Sequence, residues 1–144
     1  MKKKVLSLVV LMVLGTLTVV ISGCAAGRVD LVESGVLSLE QYTTGKVNIA
    51  WSNAYVDGDG FIVTGVLRRR DTFGLPIKSH VDIAVLSPDG TIIDESRSSE
   101  VYVPRRIIGR GGNLKRFRVR FSDIPPEGSL VRLVSHSGPH NDKM

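Results

Sequence analysis

Cysteine is nearly absent. Cys24 is the only one in 144 residues, so no disulfide can form within the chain. An exported fold must then rest on its own packed core. Aromatic residues make up 6% of the chain, with Trp51 the single tryptophan. No serine sits in a Gly-x-Ser-x-Gly turn, which removes the usual nucleophile elbow of hydrolases. The histidines are His80, His136 and His140. Gly138-Pro139 lies between the last two and forbids the helix that would align them as a ligand pair. These gaps argue against an enzyme, a bound metal or a cofactor. Beyond residue 23 no segment keeps a 3.6-residue period, so amphipathic helices are not expected either.

What the chain does have begins at its front. Lys2, Lys3 and Lys4 precede an apolar run from Val5 to Ile21, followed by Ile21-Ser22-Gly23-Cys24. The 19 Lys and Arg stand against 14 Asp and Glu, a net charge of +5. Without the three leading lysines, 16 cations face 14 acids, a net +2. That near balance gives no support to nucleic-acid binding.

The segment Ile21-Ser22-Gly23-Cys24 resembles the lipobox of bacterial lipoproteins: a branched apolar residue, a tolerant position, a small residue, then cysteine. The resemblance covers about the first 25 residues. It implies that a diacylglyceryl group is attached to the Cys24 thiol. A signal peptidase then cuts between Gly23 and Cys24, and acyl groups such as palmitate hold the new N-terminus in the membrane. Two or more chains anchor stably where one does not. Ala25 follows where an aspartate would favour inner-membrane retention. In a Gram-negative source this implies the outer membrane, facing the periplasm. The competing readings are an uncleaved transmembrane anchor and simple secretion.

The organisation expected is a signal helix over residues 1–23, a lipidated N-terminus and tether over 24–45, a β domain over 46–136 and a disordered tail over 137–144. Val36 to Leu39 adds a short edge strand at most. Val47 to Val56 reads as a strand with Val47, Ile49 and Trp51 on one face, which assigns Trp51 to the core. Asp57-Gly58-Asp59-Gly60 is a strong hairpin signal. Phe61 to Arg69, His80 to Leu86, Thr91 to Glu95, Glu100 to Val103, Lys115 to Phe121 and Leu130 to Ser135 follow as strands. Ser87-Pro88-Asp89-Gly90 and Pro125-Pro126 mark turns. Short strands with turns every 8–12 residues predict an all-β antiparallel sandwich. In pattern it is similar to the immunoglobulin and fibronectin type III class. A small open barrel is the alternative.

The basic residues are the chief candidates for contact. Arg105, Arg106, Arg110, Lys115 and Arg116 fall together without an acid among them. Arg118 and Arg120 continue the series along one strand face, opposite Phe117, Val119 and Phe121. The guanidinium fork suits phosphate and carboxylate, and Gly109, Gly111 and Gly112 would admit an anion to the backbone. The plain alternative is a solvated edge that discourages aggregation. Arg68-Arg69-Arg70, with Asp71 behind it, reads as a solvated strand end. The aspartate pair of the 57–60 turn lacks the further oxygens and closing glutamate of a calcium loop. Tyr42, Tyr55 and Tyr102 are open to either a core or a surface role. The expectation is a non-enzymatic, lipid-anchored envelope module that meets an envelope protein, peptidoglycan or anionic lipid through arginines. A periplasmic carrier for a small or lipidic ligand between the sheets is the alternative.

Overall fold

The computed structural model describes residues 28–105 and 114–138. The expected leader, the lipobox-like segment with Cys24, Arg106, Arg110 and His140 lie outside these residues. Eight strands form: β1 (Leu37–Thr44), β2 (Val47–Asp57), β3 (Gly60–Arg69), β4 (Ile77–Leu86), β5 (Ile92–Arg97), β6 (Val101–Val103), β7 (Leu114–Phe121) and β8 (Ser129–Ser137). They make two sheets. One has the order β2-β3-β7. The other runs β1-β8-β4-β5, with β6 also paired to β4. The two sheets pack as a sandwich, and no closed barrel forms among the described residues. No helix there is long and apolar enough to cross a membrane.

Alternation builds the core. On β7, Phe117, Val119 and Phe121 turn inward, while Arg116, Arg118 and Arg120 stay exposed. Val81, Ile83 and Val85 do the same on β4, and Val131 and Leu133 on β8. Phe61 stacks on Phe121 with ring centroids 4.9 Å apart. Each large side chain so buried contributes about 1.5–3 kcal/mol. Among the described residues, every member of this core lies between Leu31 and Leu133.

Three expectations are corrected. The stretch read as a tether is largely part of the fold. β1 is eight residues long and pairs in parallel with β8, from Leu37↔Ser129 to Thr44↔His136. Ahead of it, Leu31 is 2% exposed and donates its amide to Ala54. The polar character of 25–45 concealed this, because an edge strand needs only alternate residues inside.

Trp51 is not in the core; it is 48% exposed. The register jumps from Ile49↔Leu67 to Trp51↔Val66, leaving Ala50 as the extra residue of a β-bulge. One extra residue moves every later side chain to the other face. Gly65 accompanies this bulge: a Cβ there would lie 2.5 Å from the Trp51 carbonyl and 2.6 Å from the Phe117 ring.

Arg69 is the third. It is 3% exposed rather than solvated. It takes an inward position at the end of β3, and its guanidinium bonds the Asp71 carboxylate and the carbonyls of Phe73 and Leu75. Asp71, directly behind the basic run in the sequence, thus neutralises its buried member.

Candidate functional site

The outer face of the three-stranded sheet is ordered in rows. Trp51, Val66 and Arg116 share one, Asn53, Thr64 and Arg118 the next, and Tyr55, Ile62 and Arg120 the third. With strands about 4.8 Å apart, each row spans roughly 10 Å from the aromatic edge to the arginine edge. Between the edges runs a groove of about 780 Å³, lined by Arg28, Trp51, Tyr55, Thr64, Val66 and Arg118 among others. Ile62 forms its floor and is 4% exposed although it points outward.

The electrostatics differ along the arginine edge. Arg120 meets the Asp57 carboxylate at 3.4 Å and the Asp57 carbonyl at 3.3 Å. No carboxylate among the described residues pairs with Arg116 or Arg118. Asp30 stands near the opposite edge, but its oxygens are taken: Oδ1 accepts from the amides of Val32 and Glu33, and Oδ2 from Asn53. Burial pushes the Asp30 carboxyl up, yet the bonds from Glu33, Asn53 and Val32 outweigh it and hold the group below its ordinary 3.8. The face therefore offers unpaired guanidinium groups beside an apolar floor and two amphipathic aromatics, a surface suited to an anion with some apolar body.

The basic residues expected to act together are divided by the fold. Arg116, Arg118 and Arg120 share one face. Arg105 follows β6 in the other sheet, so it does not extend the β7 row. Trp51 was not expected there, because no sequence signal locates the bulge that turns it outward; Tyr55, open to either role, falls on the same outer face.

A second polar group lies on the outer face of the larger sheet. His80 and His136 are direct partners across β4 and β8, with rings stacked at 5.3 Å. Asp82 lies 3.1 Å from His136 Nε2, 3.8 Å from His80 Nε2 and 2.6 Å from Arg97 Nε. The Thr44 hydroxyl is 3.0 Å from His136 Nδ1. A groove of about 570 Å³ adjoins them, lined also by Glu95 and Arg132. His80 and Asp82 share the outer face of β4, and His136 joins them through the β4–β8 register. Among the described residues no group of three or more His, Cys, Asp or Glu is arranged to hold a metal. Arg132 and Arg97 are engaged with Glu40 and Asp82, so this face is internally balanced where the three-stranded face is not.

Asp57-Gly58-Asp59-Gly60 forms the tight turn between β2 and β3, with Asp57 opposite Gly60 and Gly58 at φ +64°. Compared with protein-family models, curated proteins and solved structures, the chain matches none.

Proposed function

We propose that this chain is a lipid-anchored, non-enzymatic accessory module of the cell envelope that receives an anionic partner on its three-stranded face. The observation that carries the reading is the unpaired Arg116 and Arg118 standing across an apolar floor from exposed Trp51. An edge defended only by charge needs no tryptophan beside it. Exposed aromatic and arginine side chains are the residue types that anchor contacts. Residues 1–24 support the anchored location through their lipobox pattern.

The carrier alternative has less behind it. The space between the sheets is occupied by Phe61, Leu67, Phe117 and Leu133, all at most 4% exposed, and by their buried neighbours. Capture of partners from envelope extract by the tagged chain, from residue 25 onward, tests the proposal. The wild type should retain a specific partner at low salt and release it as salt rises. Arg116→Ser/Arg118→Ser/Arg120→Ser should lose it while keeping the same circular dichroism. Retention by the triple variant would reject the face as the contact.

A further inference from the structure

The loop between β3 and β4 is built around a buried cation. The Arg69 guanidinium holds the Asp71 carboxylate with two nitrogens and also bonds the carbonyls of Phe73 and Leu75. Gly74 makes the turn at φ +89°. The Phe73 and Leu75 side chains then project outward, 79% and 85% exposed, the most exposed large apolar residues among those described. A buried guanidinium fixing a loop does nothing to hide these two side chains. It preorganises them in water.

Charge surrounds them unevenly. Lys46, Arg68, Arg70, Lys78 and Arg105 stand at this end of the sandwich and are exposed. The acids there are Asp71, bonded to Arg69, and Glu100, 2.5 Å from Lys78. The opposite end carries the turns at 30–35, 57–60, 87–91 and 122–128, which hold the acids Asp30, Glu33, Asp57, Asp59, Asp89, Asp123 and Glu127 and no lysine or arginine of their own; the cation beside them, Arg120, is paired with Asp57. Tyr102, 62% exposed, pairs with Lys78 on the neighbouring strand. Apolar tips ringed by cations, with an amphipathic aromatic nearby, match the boundary between acyl chains and anionic head groups.

We infer that residues 71–75 form a foot that seats on an anionic phospholipid bilayer. Phe73 and Leu75 enter the acyl boundary, and the surrounding lysines and arginines meet the head groups. The position of the N-terminus fits this arrangement. Asp30 bridges Tyr55 near the acidic end of β2, and four peptide units from Cys24 to Arg28 reach at most about 14 Å. An N-terminal anchor at one end and the foot at the other give two points of attachment and lay the sandwich along the membrane. A weak foot then acts at high effective concentration.

The test does not depend on the anchor. The chain from Ala25 to Met144 holds every described core residue and lacks residues 1–24, Cys24 among them. It is sedimented with vesicles of phosphatidylcholine alone or mixed with phosphatidylglycerol. Binding should require phosphatidylglycerol, and Phe73→Ser/Leu75→Ser should weaken it about tenfold or more with circular dichroism unchanged. In a Trp51→Phe background, Phe73→Trp should give an indole quenched by brominated acyl chains. Failure to bind phosphatidylglycerol vesicles would overturn the foot, as would binding insensitive to the double change. If that binding were instead lost in Arg116→Ser/Arg118→Ser/Arg120→Ser, the three-stranded face would be the lipid contact. Loss of a captured protein by the double variant, without any vesicle binding, would replace the bilayer with a protein partner.

Discussion

The amide of Leu31 donates to the carbonyl of Ala54 at 2.9 Å, and Leu31 itself is buried at 2% exposure. This bond ties the chain to the sandwich only a few residues after Cys24. What the polar composition suggested as a long tether is instead a short link, so an anchor at Cys24 would hold the domain close to its membrane.

Leu31 is therefore a structural residue. Leu31→Ala should cost about 2–4 kcal/mol, the usual range for an emptied core position. Urea unfolding at constant slope measures it. A cost within 0.5 kcal/mol would mean that this segment detaches freely.

Cys24→Ser tests the anchor. Metabolic labelling with a fatty acid should be lost, and the unprocessed precursor should accumulate in whole cells. Unchanged processing and labelling would rule out the lipidated N-terminus.

Gly65→Ala should destabilise by about 2 kcal/mol or more, through overpacking. Its Cβ would meet the Trp51 carbonyl and the Phe117 ring. The ring can rotate, but the carbonyl belongs to the bulge and cannot withdraw without disturbing the β2–β3 ladder. Thermal unfolding of the variant beside wild type decides this, and an unchanged midpoint would show that the bulge adapts.

Acid should weaken the fold by a route that can be traced. The Arg69 bond, against a smaller effect of burial, holds the Asp71 carboxyl below its ordinary 3.8. Asp89 is lowered by its bond from Ser87, and Asp30 is lowered despite burial. A carboxyl lowered by folding adds stability that is fully present above its ordinary value and is lost as pH falls through its folded value. The melting temperature should therefore hold near neutral pH and decline as pH drops below 3.8. Asp30→Asn should flatten that decline, and an equally steep acid limb would assign it to other groups.

Much of the β architecture was legible because a strand half-buried in a sandwich must alternate. Phe117, Val119 and Phe121 against Arg116, Arg118 and Arg120 declare both the strand and its two faces. Turn chemistry at Asp57-Gly58 and Pro88-Asp89-Gly90 declared where strands end. Of β1 only the start was legible, as the edge strand at Val36 to Leu39; its full length escaped because Ser38, Glu40 and Gln41 dilute its apolar positions, and its partner β8 is some ninety residues away. Parallel pairing over such a distance leaves no local mark.

The site divides along the same line. The sequence by itself determined that one strand face would be arginine, that no disulfide within the chain would hold the fold, and that Cys24 would stand alone behind an apolar run. These follow from residue identity and period, which are local. Only the tertiary structure decided what faces those arginines. A single extra residue at Ala50 turned Trp51 out toward Arg116, and strand pairing set His80 against His136. Burial of Arg69 fixed the loop that exposes Phe73 and Leu75. Each of these depends on register or on an end-on packing position, set by contacts between residues far apart in the chain.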